Sequence, residues 1–130
     1  MASGISLYLE NKWLDTMRGS AAVIYTMPAN IYVELANTII NVDTAGVVAN
    51  AGERQEFIGT ASTAGAIENT ADITWTNVAT TETYNSISLW DASAAGTGNM
   101  LWLGDLTTPK PVTAWDTFTI AAGDLDITLE

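Results

Sequence analysis

Chemistry needs side chains that give, take or hold charge, and this chain offers few arrangements of them. Its 130 residues include no His and no Cys. The commonest general base, the commonest metal ligand and the thiolate nucleophile are therefore missing. Asp124 and Asp126 are the closest match to the paired carboxylates of glycoside hydrolysis, which needs two acids flanking one bond. Their spacing puts both on the outward side of a strand, where solvated surface is the plainer reading. A Ser–Lys nucleophile would have to use Lys12 or Lys110, and neither lies in a motif of that type. The sequence has no glycine-rich phosphate loop of the Walker or Rossmann kind. No catalytic residue is assigned, and no enzyme is expected.

Calcium takes several convergent oxygens, usually from Asp, Asn and backbone carbonyls. Asp91 before Ser93 and Gly96 is similar to an acidic loop, as is Asp43 near Asn41 and Gly46. Neither has the spaced acids of an EF-hand. A turn-forming Asp is the commoner origin of such a pattern. No metal ligand and no cofactor are assigned; calcium stays as an open alternative.

The remaining chemical feature is aromatic. The chain has five Trp, at positions 13, 75, 90, 102 and 115. In a small domain Trp is usually core, but an exposed Trp can stack on a sugar or anchor an interface. Trp90 and Trp102 lie on segments whose other face carries Leu89, Leu101 and Leu103, so both faces are apolar. That predicts burial from two sides, by the N-terminal helix or by a partner subunit. The candidate interface residues are Trp13, Trp90, Trp102 and Trp115.

Charge limits the partners. Four Lys+Arg stand against fifteen Asp+Glu, a net charge of −11, and the pI is near 4.1. Nucleic-acid binding relies on cations neutralising phosphates, so no nucleic acid is expected. Anionic lipid is disfavoured for the same reason. The longest apolar stretch, around Ala21 to Tyr25, is far short of the ~20 residues of a membrane helix. Met1 to Gly4 lacks the basic and apolar regions of a signal peptide, so none is expected. With 48% hydrophobic and 15% charged residues, the chain nevertheless has the composition of a packed domain.

These residues must be held by some scaffold, and the pattern predicts a mainly β one. The length suits a single domain, residues 1–130. Ile5, Leu9, Trp13 and Met17 recur at steps of four and predict an amphipathic helix over 3–19, capped by Ser3 and stopped by Gly19. The helix is expected to pack on its own sheet, the alternative being a plug inserted into a neighbouring subunit. From 20 to 130, short runs of Val, Ile, Thr, Tyr and Trp alternate with small polar residues. This predicts an antiparallel β-sandwich of about seven to eight strands. Candidate strands are Asn30–Ala36, Gln55–Thr60, Asp72–Asn77, Ser86–Asp91, Met100–Asp105, Thr117–Ala121 and Leu125–Leu129. Thr38 to Gly52 is a long loop. Ala92–Gly98 and Ala121–Gly123 read as hairpin connections. Pro109 and Pro111 bracket Lys110, which calls for an edge or a turn.

Several segments together are familiar: Tyr8-Leu9-Glu10-Asn11, Met17-Arg18-Gly19, Ile31-Tyr32-Val33-Glu34-Leu35 and Asn69-Thr70-Ala71. They continue with Leu89-Trp90-Asp91-Ala92, Gly98-Asn99-Met100-Leu101-Trp102, Leu106-Thr107-Thr108-Pro109-Lys110, Ala114-Trp115-Asp116-Thr117 and Ala122-Gly123-Asp124-Leu125. The pattern resembles a family of small tailed-bacteriophage virion proteins, labelled tail-fibre or minor tail proteins. It spans nearly the whole chain and is strongest after about Ile67. Two departures stand out: Glu53-Arg54-Gln55-Glu56 replaces a Gly-rich Tyr-Ala-Arg-Gln element, and the Met27-Pro28 segment is short.

The resemblance implies a non-enzymatic structural protein on the outer surface of a virion, with other virion proteins as partners. The preferred expectation is a capsid decoration or cement protein, since a compact acidic domain suits the outside of a shell, away from packaged DNA. The alternative is a tail-fibre or minor tail module, one that would bind host-surface carbohydrate. A homo-oligomer is expected, with a trimer the first choice because phage surface parts have threefold or sixfold symmetry.

Overall fold

The computed structural model describes residues 4–18, 26–37 and 54–128. The first element is not the helix but a short strand, β1 (Gly4–Ile5), which pairs with a strand nearly a hundred residues later. Helix α1 (Leu7–Met17) follows. Ser6 caps it, accepting a hydrogen bond from the Leu9 amide at 3.2 Å and donating to the Met100 carbonyl. One hydroxyl thus starts the helix and ties it to the sheet. Ile5 fits the helical spacing but is taken by backbone pairing, so the helix starts later than periodicity alone predicts. Residues 3 and 19, the expected cap and stop, lie outside the described residues.

Five strands form one sheet in the order β1-β7-β6-β2-β3, with β2 at Ile31–Ala36, β3 at Gln55–Phe57, β6 at Glu82–Trp90 and β7 at Met100–Val112. Two ribbons face it: β4 (Ala66–Glu68) with β9 (Asp126–Thr128), and β5 (Ile73–Trp75) with β8 (Phe118–Ile120). All pairings are antiparallel. The fold is therefore a mainly β antiparallel sandwich, with one N-terminal helix among the described residues, as the alternation of the sequence requires.

The core fills the space between the layers. Val33 and Leu35 of β2 and Ile87 and Leu89 of β6 meet Trp75 of β5, Ile120 of β8 and Ile127 of β9. Phe118 sits edge-on to Tyr84, with centroids 5.3 Å apart and planes at 77°, an arrangement favoured by the ring quadrupoles. The reverse face of β2 and β6 is buried as well, through Glu34, Ala36, Ser86 and Ser88. That matches the expected two-sided burial of the Trp90 strand. Helix α1 lies against β7, with Leu9 as its buried residue.

One connection differs from the sequence-based expectation. Ala121–Gly123 does not join a hairpin; the chain there passes from the β5–β8 ribbon to the β4–β9 ribbon. The Pro109–Pro111 segment takes the edge alternative and not the turn: it lies within β7, beyond the reach of β1. Residues two apart in a strand direct their N–H groups to the same side, so both missing donors can fall on one edge. The neighbour β1 pairs only with Leu103 and Trp102, leaving that edge of β7 open further along, among the described residues. The pairing with β6 also breaks: Tyr84 faces Lys110 and Ser86 faces Asp105, so residues 106–109 bulge out opposite Asn85.

Candidate functional site

Arg54 and Glu34 form a buried ion pair, with Nε 2.5 Å from Oε2 and side chains 1% and 6% exposed. β2 supplies Glu34, and Arg54 immediately precedes β3. The guanidinium also donates to the carbonyls of Ala92 at 2.8 Å and Thr97 at 2.9 Å. Its flat face stacks on Trp90, 3.9 Å from the ring centroid. Burial of two charges costs free energy that close pairing and further hydrogen bonds offset, and this arrangement supplies a close pair and two carbonyl acceptors. Its effect is to hold the β6–β7 loop from beneath.

The loop is closed at its neck by Asp91. Its carboxylate accepts from the Asn99 amide at 2.6 Å and from Asn99 Nδ2 at 2.9 Å. Gly98, at φ +72°, is required here: a Cβ would stand 2.4 Å from the Asp91 carboxylate. The expected acidic loop at Asp91, Ser93 and Gly96 is thus a turn whose carboxylate is engaged by Asn99, and the cation its carbonyls face is Arg54. Asp43, Asn41 and Gly46 lie outside the described residues.

Asn69, 1% exposed, organises the passage between the two ribbons. Its Oδ1 accepts from the amides of Gly123 at 3.1 Å and Leu125 at 2.9 Å. Its Nδ2 donates to the carbonyls of Ala71 and Ala121, both at 2.9 Å. A single amide satisfies four backbone groups, using its full acceptor and donor capacity. Sequence reasoning missed this role and the Arg54–Glu34 pair. The available signals were an Arg among only four cations and an Asn beside a strand-poor segment.

The bulge of β7 and the β8–β9 passage border an open cleft of about 520 Å³. Its floor is apolar, with Ile87, Ile120 and Leu125 buried and Trp102 and Phe118 half-buried. Asp105, Lys110, Asp124 and Asp126 stand exposed around it. None of these four side chains has a hydrogen-bond or ion-pair partner among the described residues. Asp124 and Asp126 are surface carboxylates, as their spacing predicts, yet they share the cleft with a third acid from another strand. No group of three or more metal-binding side chains converges among the described residues.

The four candidate Trp residues are not brought together into one patch. Trp90 is under the loop with Arg54, and Trp102 lies between the layers. Trp13 is 38% exposed on α1, beside exposed Leu14 and Met17. Trp13 and Leu9 also border a smaller apolar cavity of about 240 Å³ with Trp102 and Leu89. Trp115 is 76% exposed at a turn with φ +75°. Its amide donates to the Val78 carbonyl at 2.7 Å, while the Val78 amide donates to the Asp116 carbonyl at 3.0 Å. Asn77, in the adjoining turn, is also left-handed at φ +53°. A bulky residue adopts such a backbone only where its surroundings impose it.

Among the described residues no helix is long and apolar enough to cross a membrane. No curated protein matches the chain. A family profile described as "Podophage GP4 fiber I protein gp80" matches residues 4–128. The match spans β1 to β9 and takes in Arg54, Asn69, the Asp91–Asn99 neck and the Trp115 turn. The chain therefore belongs to the podophage GP4 fiber I protein gp80 family, whose members are structural fibre proteins exposed on the tailed-phage virion.

Proposed function

We propose that this chain is a non-enzymatic component of a phage tail fibre, acting as a rigid contact module that assembles with other virion proteins. The family match over residues 4–128 carries this reading and favours the tail over the capsid-decoration role preferred for a compact acidic virion domain. Acidity and compactness suit any outward-facing part of a particle, so they do not separate shell from tail. The geometry is consistent with a contact module. Arg54, Asn69 and Asp91 are spent on internal locking of loops, and pre-organised loops lose little entropy on binding.

Assembly into a homo-oligomer, with three copies as the favoured number, is part of the same proposal. The exposed apolar side chains Leu7, Trp13, Leu14 and Met17 of α1 are its support. Antibody labelling of intact particles tests the placement. Gold at the tail is the expected outcome, and gold distributed over the shell overturns it. Sedimentation equilibrium of the purified chain reports the copy number.

A further inference from the structure

The cleft between the β7 bulge and the β8–β9 passage has a composition that the fold does not need for its own stability. Its carboxylates and its lysine have no partners among the described residues. Lys110 is distinctive among the chain's four cations. Arg18 pairs with Asp15, Lys12 lies over the Tyr8 ring, and Arg54 is buried with Glu34. Lys110 alone of these has neither an ion pair nor a ring contact among the described residues.

We propose that this cleft binds an uncharged saccharide chain. Its volume of about 520 Å³ falls within the range of small-molecule sites. A sugar has apolar C–H faces and hydroxyl edges that both donate and accept. Trp102 and Phe118 supply apolar surface for the faces. Asp105, Asp124 and Asp126 accept from hydroxyls, and Lys110 donates to them. Thr107 and Thr108 on the bulge and Thr119 on β8 can do either.

Charge selects the class of saccharide. Three carboxylates against one ammonium repel a polyanion, so uronate, sialyl or phosphorylated chains are rejected. The same lining argues against a protein occupant, because the buried centres of protein interfaces are depleted in Asp and Lys. Gly104 keeps the floor open: a Cβ there would stand 2.7 Å from the Trp102 ring and displace it. The β7 bulge supplies the threonine wall, which a regular strand would have paired with β6.

The biological setting of this proposal rests on the fibre reading, but its test does not. The full chain is applied to an array of neutral hexose and N-acetylhexosamine oligomers together with polyuronate and sialylated chains. Binding to at least one neutral oligomer is expected, with no binding to the anionic set. Asp124→Asn and Lys110→Ala should each weaken it by at least about tenfold, while Lys12→Ala leaves it unchanged. These positions are exposed, so the thermal midpoint should stay put in each variant. Absence of binding to every neutral oligomer overturns the proposal, as does binding confined to anionic chains or unaffected by the cleft variants. Protection of Lys110 from acetylation in the assembled protein, without any sugar, overturns it in favour of a protein occupant. Particle labelling reports the fibre reading separately, so either can fail alone.

Discussion

Arg54 stacks on Trp90, its guanidinium carbon 3.9 Å from the ring centroid, while the same guanidinium pairs with Glu34 and two loop carbonyls. Every bond in this cluster depends on the charge of one residue. The cluster joins β2, the approach to β3, the end of β6 and the β6–β7 loop, bringing Glu34 and Thr97 to one guanidinium from distant parts of the sequence. It therefore acts as a rivet beneath the loop that carries the Leu89-Trp90-Asp91-Ala92 segment.

Arg54→Leu should destabilise the fold by about 3–5 kcal/mol, because it leaves the Glu34 carboxylate buried and unpaired. Adding Glu34→Leu to it should recover most of the loss, since two apolar groups replace two charges. Urea unfolding of both variants gives the comparison. Limited proteolysis should show cleavage within residues 91–99 in both, as the loop carbonyls lose their donor in either case.

Asn69→Leu should cost roughly 3 kcal/mol, as the Leu125 amide and the Ala71 carbonyl lose their partner, while the Gly123 amide keeps the Asn69 carbonyl and the Ala121 carbonyl keeps the Asp124 amide. Asn69→Asp keeps the acceptor and loses both donors, so it should fall between Leu and wild type in thermal unfolding. Equal stability of Asn69→Leu and wild type would remove the claim that this amide holds the ribbons in place.

Trp115→Gly should leave stability unchanged or raise it by up to about 1 kcal/mol, since glycine accepts φ +75° without strain and little burial is lost. Trp75→Ala, at a site 1% exposed, should cost about 3–5 kcal/mol. If Trp115 is an assembly contact, Trp115→Gly also lowers the mass seen in sedimentation without unfolding the chain.

Tyr84 is fully buried, and burial, then the nearby Glu82 charge, push its phenol up from 10.0 to about 12. The folded state holds the phenolic proton more tightly than the unfolded state. The stability from this group is therefore complete below about pH 10 and is lost as pH climbs to about 12, a span worth roughly 2–3 kcal/mol. Tyr84→Phe should remove this alkaline loss, which denaturant titrations at pH 9, about 10.5 and about 12 would reveal.

Much of the fold is legible in the residue pattern. Ile31, Val33 and Leu35 alternate with Tyr32 and Glu34, and β2 forms there within one residue of the expected start. β6 starts four residues before its predicted start, and β7 runs seven residues past its predicted end, because pairing partners, not propensity, set where a strand begins and stops. β4 leaves little trace in the residue pattern: Ala66–Glu68 has little strand character and is a strand because β9 pairs with it. The turn at Ala121–Gly123 was legible as a turn, but its role as a passage between ribbons was not.

The amino-acid sequence by itself determined the mainly β texture, the N-terminal helix, the outward placement of Asp124 and Asp126, and the shortage of cations that disfavours nucleic acid. These are local or compositional properties, set by periodicity of two or 3.6 and by charge count. Only the tertiary structure decided that Glu34 meets Arg54, that Asn69 bonds residues more than fifty positions away, and that Asp105 and Lys110 share a cleft with Asp124 and Asp126. Those relations depend on strand order and on a bulge in β7, and neither leaves a periodic trace in the chain. The same limit explains why the tryptophans, prominent in the sequence, turned out to serve separate surroundings. A residue's type states what contact it can make, and topology chooses the partner.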